Sequence, residues 1–107
     1  MEAQTVLEYI THKAHEILPK GARLLLYGSR AQGDNRPDSD WDLLILIPGD
    51  RVTFEQDTKY AFPFQELGWD IGEEIKPQIF TLNNWKARQG RSLYVYEVER
   101  DGIELWH

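Results

Sequence analysis

The sequence predicts an α/β (α+β) domain, a small mixed sheet flanked by helices, and three observations carry that reading. One apolar run, Leu24-Leu25-Leu26-Tyr27, stops at Gly28-Ser29. A second, Leu43-Leu44-Ile45-Leu46-Ile47, opens on Asp40-Trp41-Asp42. Outside these runs the apolar residues recur at helical spacing. At 107 residues the chain has room for one core, and a single domain over 1–107 is expected.

Residues 2–18 place Val6, Leu7, Ile10, Ala14, Ile17 and Leu18 on one helical stripe, ended by Pro19 and Gly21. Residues 22–28 read as a strand. Ser29 suits the cap of a short helix over 30–32, and 33–39 is turn chemistry with Asp, Asn, Pro and Ser. Residues 41–47 read as a strand buried on both faces beyond its acidic start, stopped by Pro48-Gly49-Asp50. A helix is expected over 53–67 through Phe54, Ala61, Phe64 and Leu67, kinked or split by Pro63. Residues 73–81 read as a third strand, where Pro77 points to an edge position or a bulge. Asn83 or Asn84 is expected to cap a helix through Arg88, residues 92–100 read as another helix, and Gly102 leads into a short closing segment over 103–106.

Composition narrows the function. Four Trp, five Tyr and four Phe within 41% hydrophobic residues suit a globular protein rather than a disordered one. A net charge of −6 without Lys/Arg clusters argues against an extended nucleic-acid surface. The absence of Cys rules out disulfides and thiolate zinc sites. The N-terminus has no apolar signal region and the apolar runs suit strands rather than a membrane span, so a cytoplasmic protein is expected.

The chemistry lies in the acidic start of the second strand. Strand side chains alternate, so Asp40 and Asp42 point to one face, where they repel each other. Neither has a packing role there, and a divalent cation would relieve the repulsion. Phosphate chemistry follows as the first hypothesis. An EF-hand loop starting at Asp38 fails, because its sixth position is Leu43 and its twelfth Gly49. Gly28 and Gly33 have P-loop spacing, but Asp34-Asn35 stands where Lys and Ser/Thr are required. His12 and His15 lie outside the apolar stripe and read as a solvated face. Trp41 lies opposite the acidic face and reads as core, as do most of Phe54, Tyr60, Phe62, Phe64 and Trp69. Tyr94 and Tyr96 carry no signal.

Gly28-Ser29 followed about ten residues later by Asp40-x-Asp42, each joined to a strand, resembles the nucleotidyltransferases of the DNA polymerase beta superfamily. The match is to their minimal form and also involves Arg30, Ala31, Gly33 and Ser39. Sugar-nucleotide glycosyltransferases share Asp-x-Asp but lack the Gly-Ser element. The resemblance implies the nucleotidyltransferase fold and transfer of a nucleoside monophosphate, AMP from Mg-ATP, onto a hydroxyl. It implies Asp40 and Asp42 as catalytic metal ligands for Mg²⁺ or Mn²⁺, and Gly28, Ser29 and Arg30 as contacts of ATP or another nucleoside triphosphate. A third carboxylate is expected on the neighbouring strand. Gln78 stands where the usual Asp would fall, and Glu74, on the same strand face, is the candidate metal ligand. The short chain implies an acceptor held by a second copy or a partner protein, of HEPN type in toxin–antitoxin pairs. A degenerate module that masks a partner is the alternative, and a nucleotide sensor is a third reading.

Overall fold

The computed structural model describes residues 1–34 and 36–107. Asn35, within the turn expected over 33–39, lies outside the described residues. Helix α1 (Ala3–Ile17) buries Val6, Ile10 and Ala14 along the expected stripe, and leaves His12 and His15 exposed. Strand β1 (Arg23–Tyr27) runs into a single 3-10 turn (Ser29–Gln32). Strand β2 (Trp41–Ile47) returns antiparallel to β1.

Strand β3 (Ile75–Thr81) then lies parallel to β2, because the intervening helical crossover carries the chain back to the same end of the sheet. Helices α4 (Leu82–Ala87) and α5 (Leu93–Asp101) follow, and β4 (Ile103–Trp106) closes the sheet antiparallel to β1. The strand order is β3-β2-β1-β4. β2 is therefore central and β3 an edge, where Pro77 loses no ladder bond on its open side.

Two apolar layers sandwich the sheet. Leu43, Ile45 and Ile47 of β2 pack with Val6, Ile10, Phe64 and Leu67 on one face, while Leu44 and Leu46 pack with Trp85, Val95 and Val98 on the other. Coverage on both faces explains why β2 reads as a continuous apolar run. Full burial of one such side chain is worth about 1.5–3 kcal/mol relative to exposure.

The crossover departs from the sequence reading. Thr53 caps α2 (Phe54–Gln56) through a reciprocal capping box with Gln56. One π-helical turn (Asp57–Ala61) follows, and α3 (Phe62–Ile71) begins just ahead of Pro63 and ends at Gly72 in the left-handed region. The break thus precedes the proline, which sits in the first turn of α3, where no intrahelical N–H is needed. The wider turn also shifts the helical phase. Phe64 is fully buried, but Phe54, Phe62 and Trp69 are exposed, against the expectation that they are core. The cap of α4 is corrected too: the Thr81 hydroxyl accepts from the Asn84 amide at 3.0 Å, and neither Asn83 nor Asn84 is the cap. No helix of the described residues is long and apolar enough to cross a membrane.

Candidate active site

The site forms where β1 and β2 end side by side. Tyr27, the last residue of β1, pairs with Asp42. Gly28 then turns the chain at φ +74°. A Cβ built there would collide with Asp42 Oδ2. The Gly-Ser turn and the Asp-x-Asp strand are therefore in contact, and only glycine supplies both the backbone angle and the space. Burial pushes the Asp42 carboxyl above its ordinary range; the Asp40 charge adds to the shift and Lys76 opposes it. Asp42 is the second residue of β2, and Asp40 stands just ahead of the strand.

The neighbouring strand brings a cation. In the parallel register Lys76 stands opposite Asp42, and Gln78 opposite Leu44, two positions further along. Lys76 Nζ lies 2.8 Å from Asp40 Oδ2. That hydrogen bond and the Asp40 charge hold the ammonium above the usual lysine range. Glu74, expected as the third metal ligand, is exposed just ahead of β3, and its carbonyl accepts from the Trp41 amide at 2.8 Å. Among the described residues no three His, Cys, Asp or Glu side chains are grouped to hold an ion, so Asp40, Asp42 and Glu74 are not drawn together. Asp40 and Asp42 offer hard oxygen donors of the kind that would suit Mg²⁺ or Mn²⁺. They do not make a three-carboxylate centre.

Ser29 and Arg30 organise the loop between the strands. Ser39 Oγ donates to Asp34 Oδ2 at 3.0 Å, so its own single proton is used there. The 2.8 Å bond between Ser29 Oγ and Ser39 Oγ then has Ser29 as donor. The Ser29 hydroxyl is occupied by this chain of bonds. Arg30 Nε and Nη2 both donate to the Ser39 carbonyl, at 3.2 and 3.1 Å. Its guanidinium lies 4.3 Å from the Trp41 ring centroid and 3.9 Å from Glu73 Oε1, with only 6% of the side chain exposed. Trp41 faces the layer opposite Asp42, so the arginine expected to touch phosphate clasps the loop from behind instead. Asp34 forms its ion pair with Arg36 at 2.8 Å, not with Arg30.

A cavity of about 310 Å³ adjoins the turn, lined by Tyr27, Gly28, Gln32, Tyr94, Val98 and Arg100 among others. A larger one, of about 600 Å³, lies at the start of α5 and shares no residue with the acidic pair. The Tyr94 hydroxyl is buried without a well-formed hydrogen bond, its ring edge-on to Tyr27 at 5.6 Å. Burial, reinforced by Tyr27 and the Asp42 charge, holds the Tyr94 phenol well above the ordinary tyrosine range. The unfolded chain therefore loses this proton first, and stability falls as pH rises past about 10. Tyr94→Phe is expected to match or exceed wild-type stability near neutral pH, within about 1 kcal/mol, and to gain on it in alkali. Urea unfolding at the two pH values checks this. A clear loss at neutral pH would mean the hydroxyl has a partner.

Sequence reasoning missed Lys76 as a site residue. Alternation alone places it on the face of Glu74 and Gln78, but only the register of β3 against β2 sets it beside Asp42. Tyr94 carried no sequence signal at all, because α5 must fold back onto the sheet to bring it to Tyr27.

Comparison with known proteins bears on the fold and the family. A toxin–antitoxin crystal structure with AMP-PNP superposes with a TM-score of 0.64 at 21% identity, covering 94% of this chain and 72% of that one. A mutant of the MntA–HpeT toxin–antitoxin complex gives 0.61 at 18% identity, covering 94% and 71%. The bifunctional uridylyltransferase/uridylyl-removing enzyme of Cupriavidus metallidurans is 34% identical over 70 residues, 63% of this chain. That of Pseudomonas entomophila is 36% identical over 74 residues, 69% of this chain. The chain spans only 8% of the length of either enzyme. The family profile of the nucleotidyltransferase domain matches residues 8–89, which takes in the Gly28-Ser29 turn, both aspartates and all of β3. The Gly-Ser turn packs on the Asp-x-Asp strand within the matched segment, and the chain belongs to the nucleotidyltransferase domain family.

Proposed function

We propose that this chain transfers a nucleoside monophosphate, AMP with ATP as donor, to a hydroxyl on a partner protein. The observation that supports it most is the contact between Gly28 and Asp42, which joins the phosphate-approach turn to the carboxylate pair. The hydroxyl oxygen forms a bond to the α-phosphorus, pyrophosphate leaves and the hydroxyl proton goes to solvent. Asp40 and Asp42 would hold Mg²⁺ or Mn²⁺, which when bound neutralises charge on the phosphate oxygens. The chain's own part is positioning. Gly28 would allow close backbone approach, the Ser29 amide would be available to the phosphates, and Arg30 fixes the loop that carries both.

A partner protein as acceptor is supported by the toxin–antitoxin complexes that share this fold, one of them with AMP-PNP. A HEPN-type partner and a cytoplasmic setting accord with the same reading. A second reading, a module that masks its partner without modifying it, is favoured by one observation: Lys76, not a carboxylate, stands beside Asp42.

One experiment separates them. The protein is purified with whatever binds it and incubated with ATP labelled at the α-phosphate, with Mg²⁺ or Mn²⁺. The expected result is a mass gain of one AMP on the partner, absent with Asp40→Asn or Asp42→Asn. A tight partner that stays unmodified with every nucleoside triphosphate and both metals supports masking.

A further inference from the structure

We infer that Lys76 is a built-in cation of the carboxylate pair, resting on Asp40 until a triphosphate draws its ammonium away, so that a divalent ion binds well only together with nucleotide. The inference rests on the nucleotide reading above and gives a role to a residue outside that reading's ligand set. Lys76 is the β3 residue in register with Asp42, so it occupies the place from which a third carboxylate would reach both aspartates. It places the opposite charge there. Its Nζ is 2.8 Å from Asp40 Oδ2, and no third acidic group completes an ion site among the described residues.

Charge and mobility give this arrangement its consequence. Lys76 offsets part of the negative charge that Asp40 and Asp42 present, so a bare divalent ion meets a weakened attraction and must displace Lys76 from Asp40. The Lys76 side chain is 53% exposed and Asp40 38%, so the pair is a solvent-screened one that a strong competitor can open. A triphosphate is such a competitor, since an ammonium on a flexible four-carbon stem is a ready point-charge partner for phosphate oxygens. As the ammonium moves to phosphate, Asp40 is released to the metal that the nucleotide brings. Metal and nucleotide binding become mutually reinforcing through one side chain.

The test measures binding and needs no turnover. Mn²⁺ is titrated, with free ion followed by electron paramagnetic resonance, into wild type, Lys76→Gln and Lys76→Arg, with and without ATP. Lys76→Gln is expected to bind Mn²⁺ alone about fivefold more tightly than wild type, the equivalent of one screened ion pair. The same variant should bind metal-free ATP several-fold more weakly, and ATP should no longer strengthen its hold on Mn²⁺. Lys76→Arg, which keeps the charge, should stay close to wild type. If Lys76→Gln leaves Mn²⁺ affinity unchanged or lower while wild type still binds Mn-ATP, the role of Lys76 is overturned and the nucleotide reading stands. If neither protein binds Mn²⁺ with ATP present, both fall.

Discussion

Gly28→Ala is expected to destabilise the domain by about 2–4 kcal/mol, enough to lower Tm by roughly 10 °C or more at this size. Two costs combine. A non-glycine residue at φ +74°, ψ −158° carries backbone strain of about 1–3 kcal/mol, and the added Cβ collides with Asp42 Oδ2. The colliding atom is the far end of the Asp42 side chain, so relief of this contact turns the carboxylate out of its native position beside the turn. Gly33 provides the control. It also has a left-handed φ, +89°, but a Cβ there would meet nothing within 4 Å. Gly33→Ala should therefore cost only the backbone share. Gly28, at ψ −158°, lies in a region that only glycine populates, whereas Gly33, at ψ 13°, is left-handed helical. The excess loss at Gly28 therefore combines its steeper backbone strain with the carboxylate collision, and trimming Asp42 to Ala in the Gly28→Ala background should recover only the second part. Equal losses from Gly28→Ala and Gly33→Ala in thermal unfolding would show that the turn and the aspartate are not packed together.

Replacing Asp40 and Asp42 together by Asn is expected to abolish both nucleotidyl transfer and the metal-dependent part of ligand stabilisation. For wild type, Mn²⁺ and ATP at about a hundred times their dissociation constant should add about 2.7 kcal/mol, on the order of a 10 °C rise in Tm. The double variant should lose that rise while remaining folded, since neither carboxylate supports the core. Its ligand-free form should equal or exceed wild type in stability, because burial and the Asp40 charge both disfavour an ionised Asp42 in the native state. Asn keeps the shape against Gly28 and removes that penalty. An unchanged thermal shift in the double variant would remove both residues from metal binding.

The elements that positioned the site were legible because each carries a local signature. The apolar runs at 24–27 and 43–47 define two strands by composition, and β2 reads as apolar on both faces because helices cover both faces. The contact between Gly28 and Asp42 follows from the antiparallel pairing, which sets the end of β1 beside the start of β2. What the sequence left open depended on relations between distant segments. Glu74, Lys76 and Gln78 share a strand face, and which of them meets Asp42 is a matter of register, set by how the crossover packs. The crossover itself misled, since a π-helical turn has no residue signature, and Phe54, Phe62 and Trp69 lie exposed along it.

Arg30 illustrates the same division. Its place after Gly28-Ser29 marks it as a phosphate contact. The fold instead swings it to the opposite face, where Trp41, Glu73 and the Ser39 carbonyl receive it. β4 was legible only as a short closing segment, because four residues become a strand when β1 offers an unpaired edge. By itself, then, the sequence determined the strands, the main helices and the two aspartates, since periodicity and spacing are properties of neighbouring residues. Only the tertiary structure decided which charge stands beside those aspartates, because strand register is chosen by the packing of the whole domain and is written in no single segment.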